Sequence, residues 1–478
     1  MLKKVILLAF IVVGLCTMAG PASAIGFNSS IDGLFTPAGT PTFMFVNPGG
    51  LGDALIYGYY NVRDQKISVF GVVNTDETFG ARVRIRFREA ADIPASANRD
   101  CNHDDVEDPQ GSHEVLDFDI CLSPGDMWTG RIISDTSGAA TLKSDDHDTY
   151  VQFSDNSNVA DNSDIFPVRF PNGVQFKFGS ANSVAGITAD NTREGYFEII
   201  AEDQLTETRD GVKCDRIQGN NIPDCTCGDL FDTGGDVENV LMGVNYIVDL
   251  GDASTFGYNA TAIAEFADSD KTSPIASAAP NLRDSHDEVV TGITPVNYIL
   301  TKSNLYSVHD TEDSKGGDTE IIVTFPTKKL TQDENSEDCD DIFRDPAVGI
   351  AIWDDAEHKQ TQVCEFSPCP TSENSLPFEV NLIDLNASNI FTSDVETAIS
   401  VPTFRIGWLN IDLVQGATPP SPLHVTSIIS GGTAYVAHGL PAVGYNALGF
   451  GVIAPLGATH MAPVQYDSNV DFIPLVGQ

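Results

Sequence analysis

The chain has 478 residues, 26 Lys+Arg against 68 Asp+Glu, and a formal net charge of −42 at pH 7. Hydrophobic residues make up 41% of it, which excludes a wholly disordered chain and supplies apolar surface for two or three domains. The negative charge disfavours nucleic-acid backbones and anionic lipid as partners.

Residues 1–24 read as a secretory signal peptide. Lys3 and Lys4 form its basic start, residues 5–15 a short apolar run, and Ala22-Ser23-Ala24 a small-residue cleavage site. A run of about eleven residues is too short to cross roughly 30 Å of hydrocarbon. The expectation is secretion, to the periplasm, the cell surface or the extracellular space. No later apolar stretch has spanning length. Residues 446–458 come nearest, but Gly449, Gly451, Pro455 and Gly457 break them into a strand and a turn. No transmembrane segment is therefore expected in the mature chain.

Cleavage removes Cys16 and leaves Cys101, Cys121, Cys214, Cys225, Cys227, Cys339, Cys364 and Cys369. An even count in an exported chain favours disulfides. Zinc is the alternative, but C-x-C and C-x4-C are not paired C-x2-C knuckles and no histidine completes them. The cysteines form one pair (101, 121) and two triplets. If Cys101 bonds Cys121, full oxidation requires one bridge between the triplets.

Runs rich in Val, Ile, Phe and Tyr, separated by Gly, Asn, Asp, Ser and Pro, predict strands. They fall at 54–62, 67–74, 81–88, 114–122, 196–201, 320–325, 348–353, 378–385, 404–414, 424–430 and 433–438. One short helix is predicted at 259–268. Strand after strand without helices predicts an all-β fold of antiparallel β-sandwich domains, two in number, with long polar loops. Residues 268–287, rich in Asp, Ser, Ala and Pro, read as a linker between 25–270 and 285–478.

Strand geometry places Val83, Ile85 and Phe87 on one face of residues 82–88, and Arg82, Arg84, Arg86 and Arg88 on the other. One reading is an anion-binding strip for a sulfated or carboxylated glycan. The other is a charge ladder against 114–120, where Asp117 and Asp119 alternate with Leu116, Phe118 and Ile120. Solvated, each such pair contributes under about 1 kcal/mol.

The acidic excess is read as Asp placed in turns and insertions. Short carboxylates in loops suit calcium. The candidates are Asp100, Asn102, Asp104 and Asp105; Asp145, Asp146, Asp148 and Asp155; and Asp338, Asp340, Asp341 and Asp345. None matches an EF-hand loop, and solvated turns favour the same residues. No H-E-x-x-H, G-x-S-x-G or P-loop is present, so no catalytic residue is assigned. Tyr57, Tyr59, Tyr60 and Trp128 are candidates for stacking on sugars. Trp128 is expected in a turn beside Gly125 and Asp126, whereas Trp353 and Trp408, in apolar runs, are expected to fill cores.

Three stretches resemble a group of uncharacterised exported bacterial proteins: Asn47-Pro48-Gly49-Gly50-Leu51-Gly52-Asp53, Glu194-Gly195-Tyr196-Phe197-Glu198-Ile199-Ile200 and Val323-Thr324-Phe325-Pro326-Thr327-Lys328. The resemblance implies export and a bacterial source. It implies no activity and no functional residue.

The expectation is an exported structural or adhesive β-sandwich protein of the cell surface, with loops ordered by calcium. Its partner would be a second copy, a surface glycan or a surface protein. A secreted glycan-binding protein or glycan-active hydrolase is the alternative. A hydrolase requires a pocket with convergent carboxylates of shifted pKa.

Overall fold

The computed structural model describes residues 44–90, 112–146, 150–153, 166–167, 173–179, 187–206, 232–233, 239–251, 253–266, 282, 294–311, 317–328, 347–359, 374–376, 378–385, 390–399, 406–414, 425–430, 433–450, 458–463, 465–467 and 469–474. Its strands in the first part of the chain are β1 (Phe45–Val46), β2 (Ala54–Asn61), β3 (Lys66–Asn74), β4 (Gly80–Glu89), β5 (Glu114–Leu122), β6 (Met127–Ser134), β7 (Ala140–Lys143), β8 (Tyr150–Phe153), β9 (Phe166–Pro167), β10 (Val174–Gln175), β11 (Glu194–Thr206), β12 (Asp232–Thr233), β13 (Leu241–Asp249), β14 (Thr255–Asn259) and β15 (Thr261–Ala264). After helix α1 (Thr294–Leu300) come β16 (Thr301–Lys302), β17 (Asn304–Asp310), β18 (Gly317–Thr324), β19 (Ala347–Asp354), β20 (Asn374–Ser375), β21 (Val380–Leu385), β22 (Glu396–Ile399), β23 (Ile406–Asp412), β24 (Val425–Ser430), β25 (Thr433–His438), β26 (Leu440–Pro441), β27 (Val443–Phe450), β28 (Ala458–Pro463), β29 (Gln465–Asp467) and β30 (Asn469–Pro474).

The fold is all-β, as the alternation of short apolar runs and turn residues predicts. Sheet I runs β1-β15-β2-β11-β4-β5-β8-β9, with β12 beside β11, and sheet II runs β10-β7-β6-β3-β13-β14. Sheet III runs β22-β21-β18-β27-β28 and sheet IV runs β20-β19-β23-β17-β29. A two-stranded ribbon, β16-β26, and a three-stranded sheet, β24-β25-β30, complete the described strands. Among these, only β21–β22 pairs parallel. The helix expected at 259–268 is instead the end of β14 followed by β15, which is held between β1 and β2. Sheet pairing overrides the helical preference of its alanines. The described helix is α1, with Pro295 in its first turn, where a missing N–H costs nothing.

Three cores hold the four main sheets in a stack. Leu55, Tyr57, Phe70, Val83, Ile85, Phe87, Phe118, Trp128 and Phe197 fill the space between sheets I and II. Ile321, Val323, Ile352, Ile383, Leu409 and Ile411 fill that between III and IV. The third core lies between the outer faces of I and III, where Ala54, Ile56, Tyr59, Tyr196 and Ile200 meet Ile322, Val380, Leu382, Val443 and Tyr445. Sheets I and III are therefore buried on both faces, sheet I with the arginines of β4 on one of them, and β14 of sheet II also reaches the middle core through Phe256 and Tyr258.

A β-bulge lets β2 serve two cores. Gly195 faces Tyr60 and Phe197 faces Tyr57, so Gly58 and Tyr59 together oppose Tyr196. The extra residue shifts the side-chain phase. Tyr59 then points into the middle core and Tyr60 into the first. Gly58 lies against Tyr445: a Cβ there would be 2.6 Å from its Cε2 and 3.4 Å from Val443 Cγ1. Thr324 Oγ1 donates to Gly58 O at the same place (2.5 Å).

Polar contacts edge this middle core. Arg63 Nη1 pairs with Asp190 at 2.6 Å, its Nη2 pairs with Asp394, and its Nε lies 3.5 Å from Glu194. Buried Glu194 accepts from Tyr59 Oη (2.9 Å), Ser393 Oγ and the Asp394 N–H. Asn61 Nδ2 donates to Thr392 O at 3.0 Å. The loop carrying residues 392–394 is itself fixed by Glu320, which accepts from the N–H groups of Ile390 and Phe391.

Replacing Gly58 with Val forces atoms into the Tyr445 ring and is expected to destabilise the protein by about 1–3 kcal/mol, the usual cost of overpacking. Denaturant unfolding of the variant measures this. A shift well below 1 kcal/mol would show that the middle core yields at that point.

Candidate functional site

The exposed side chains that ask for explanation lie on the outward face of sheet IV. β23 alternates, with Leu409 and Ile411 inward and Ile406 and Trp408 outward, the latter two 49% and 40% exposed. Trp408 is directly opposite Trp353 on β19 and Val308 on β17. The two indoles stack face to face, with centroids 3.9 Å apart and planes within 4°. Lys359 Nζ sits 5.2 Å from the Trp353 ring centroid, a cation–π contact. Val308 is 58% exposed. Tyr306, Asn410 and Asp310 occupy neighbouring positions on the same face.

This reverses the expected roles of the tryptophans. Trp128 is fully buried on β6, within 5.7 Å of the Phe70 and Phe118 rings. Tyr57, Tyr59 and Tyr60 are also wholly buried. Trp353 and Trp408 are outside because Ile352 and Leu409, their chain neighbours, point inward. The turn at Gly125 does exist, with φ +70°, but it ends at Asp126 and leaves Trp128 at an inward position of the next strand.

Sheet II carries a second apolar row on its outward face. Met127, Val73 and Met242 are in register across β6, β3 and β13. Both methionines are more than two-fifths exposed.

A carboxylate cluster beside the Glu194 loop is the other candidate. Burial, and then a hydrogen bond and charge repulsion from Asp384, push Glu396 up to about 7. Asp384 is itself buried on β21, and Glu194, raised by its own burial, adds to the repulsion. No sequence motif marks these residues. They converge only because β21 and β22 pair in parallel and β11 packs nearby.

The four arginines of β4 pair with acids in a buried ladder. β4 and β5 pair with Arg84 facing Asp119 and Arg86 facing Asp117. Arg82 contacts Asp119 (2.6 Å) and Glu202 (2.7 Å); Arg84 contacts Asp119 (2.6 Å) and Asp117; Arg86 contacts Glu114 (2.6 Å) and Glu198 (3.0 Å). Arg88 is buried, which opposes its charge, but Tyr196, Glu198, Glu379 and Glu114 outweigh this and raise its pKa. The expected ladder is present, and it is buried: Arg84, Arg86 and Arg88 are each at most 6% exposed.

Of the calcium candidates, Asp145 lies 3.4 Å from Arg131 with its side chain largely exposed, and the Asp146 N–H donates to Ser144 Oγ. Asp100, Asn102, Asp104, Asp105, Asp148, Asp155, Asp338, Asp340, Asp341 and Asp345 lie outside the described residues. Among those described, no three His, Cys, Asp or Glu side chains are placed to hold a metal ion. Cys121 is on β5 opposite Arg82. Cys101, Cys214, Cys225, Cys227, Cys339, Cys364 and Cys369, residues 1–24 and most of 268–287 lie outside the described residues. No described helix is long and apolar enough to cross a membrane.

No protein-family model, no curated protein and no solved structure matches the chain.

Glu396 supplies a pH test. Its folded pKa is raised from 4.5 to about 7, so the folded state holds the proton more tightly between those values. The resulting stabilisation is present below about 4.5 and is lost as pH rises through 7. Asp384→Asn is expected to return Glu396 toward an ordinary carboxyl pKa, read by carboxyl NMR titration. An unchanged Glu396 pKa would assign the shift to burial alone.

Proposed function

We propose that this is an exported structural or adhesive protein of the bacterial cell surface, which works by contact through its outer sheet faces rather than by turnover. The reading rests on the two apolar rows at solvent, Trp353–Trp408–Val308 on sheet IV and Met127–Val73–Met242 on sheet II. Exposed apolar patches on an otherwise well-packed protein mark contact surfaces. The layers between them supply rigidity, since both faces of sheets I and III are buried. Disulfides among the eight mature cysteines and calcium in the Asp-rich loops would add to it.

The carboxylates Asp384, Glu396 and Glu194 favour the hydrolase alternative, because they converge and Glu396 is shifted to about 7. Against it, Glu194 is engaged by Tyr59 and Ser393.

Expression with the native leader is expected to give a chain cleaved after Ala24, found outside the cytoplasm and adsorbing to bacterial cell envelopes. Adsorption should fall at least tenfold in Trp408→Ala or in Val73→Glu/Met242→Glu, measured at a temperature where each variant is still folded. Polysaccharide turnover that Glu396→Gln abolishes would overturn the adhesive reading in favour of the hydrolase. Retention of the uncleaved chain in the cytoplasm would overturn export.

A further inference from the structure

Resting on the adhesive reading, the geometry of sheet IV points to one ligand class. We propose that the uncovered face of the Trp408 indole, standing over Val308, stacks against the ring of a neutral pyranose in an extracellular polysaccharide.

The two rings of the stacked pair are not equivalent. Trp353 is covered on one face by Trp408 and on the other by the Lys359 ammonium. Among the described residues, Trp408 has an aromatic or cationic group on one face only. Its other face turns away from β19 toward β17, where the residue in register is Val308. A valine beside an indole leaves a step: a flat vertical wall with a low apolar floor. Ile406, two residues before Trp408 on the same face, extends the apolar wall.

Polar groups surround the step. Asp310 and Tyr306 lie two residues on either side of Val308 along β17, about 6.6 Å each way. Asn410 lies the same distance beyond Trp408. A carboxylate, a phenol and an amide around one apolar ring face match a pyranose, which has apolar C–H faces and equatorial hydroxyl donors.

Size and charge select among occupants. Summed over Trp408, Trp353, Val308 and Ile406, the exposed apolar surface is on the order of a few hundred Å². A stable protein interface buries about 800 Å² per partner, a little over half of it apolar, so the patch is small for a protein face and suits a small rigid ligand. A second copy would also bring a further net charge of −42 against the acids of this face. Asp310 lies beside the step, and Asp355 and Glu357 are in the turn after β19, where the chain pairs back beside Trp353. These acids repel uronic and sulfated glycans, which leaves uncharged sugars.

The test is titration of the full mature chain with cellohexaose, chitohexaose and an alginate hexamer, read by calorimetry and tryptophan fluorescence. One of the uncharged hexamers is expected to bind and to perturb the fluorescence, and alginate is expected not to bind. Affinity should fall at least tenfold, about 1.4 kcal/mol, in Trp408→Ala and in Val308→Phe. The second variant fills the step and keeps both indoles, so it carries the test if Trp408→Ala misfolds. Leu250→Ala, exposed in the turn after β13 on the opposite sheet, should bind as the parent does. Failure of both uncharged hexamers to bind, or binding unaffected by Val308→Phe, overturns the proposal. If the sugars fail while envelope adsorption still depends on Trp408, the adhesive reading stands and the occupant is a protein or a second copy.

Discussion

Sheet I is buried on both faces, and the strand that meets this demand most fully is β2. All eight of its residues are buried. Strict alternation would send Tyr59 and Tyr60 to the wrong cores relative to their partners. The bulge at Gly58 and Tyr59 corrects the phase within one residue, and the missing Cβ of Gly58 admits the Tyr445 ring. The Tyr59 hydroxyl then reaches Glu194, and Glu194 in turn gathers Ser393, the Asp394 N–H and Arg63. One backbone irregularity thus sets both the apolar contact between the sandwiches and the polar contacts at its edge. The two sandwich cores and the core between them are then joined through this one strand and its partners.

Part of the acidic excess is buried inside the fold. Glu89, Glu194, Glu198, Glu320, Glu379 and Asp384 are each at most 2% exposed, and several lie between layers. Each of those with described contacts is met by donors. Glu320 receives two backbone N–H groups, Glu379 receives Ser112 Oγ and lies 3.0 Å from Tyr196 Oη, and Glu198 is paired with Arg86. Hydrogen bonds and cations of this kind offset the desolvation that burial imposes. Several of the described basic residues are spent inside. Arg63, Arg82, Arg84 and Arg86 each face two or more carboxylates, and such pairs break at a cost of about 3–5 kcal/mol when one partner is removed.

The strand cores were legible in the sequence because period-2 alternation leaves a local mark. β5 spans the predicted 114–122 and β25 the predicted 433–438. The β4–β5 pairing was legible for the same reason, with arginines and aspartates on one face of each strand. β6 and β13 were missed. β6 begins directly after a turn signal, and in β13 the apolar Met242, Val244, Tyr246 and Val248 face outward while Asn245 and Asp249 face inward, which inverts the pattern expected of a half-buried strand. The Asp384–Glu396 contact was not legible at all, since it depends on a parallel pairing between segments that no local pattern links. The tryptophans are the instructive case. Their composition context, apolar runs, said core. Their phase, one residue away from Ile352 and Leu409, said surface, and phase decided.

The stacked indoles have a stabilising role that is independent of any ligand. Cross-strand aromatic pairs contribute about 0.5–1.5 kcal/mol beyond burial, and this one ties β19 to β23 in the outermost sheet. That role accounts for the faces the two rings turn toward each other, and Lys359 accounts for the far face of Trp353. It does not account for the choice of Val308 beside the far face of Trp408. A long side chain at that register position would cover the indole and remove its exposed area from water, a gain of roughly 25 cal/mol per Å². Stability alone would therefore close the step, and its opening on the most exposed strand register of sheet IV is the feature that the fold by itself leaves without a reason.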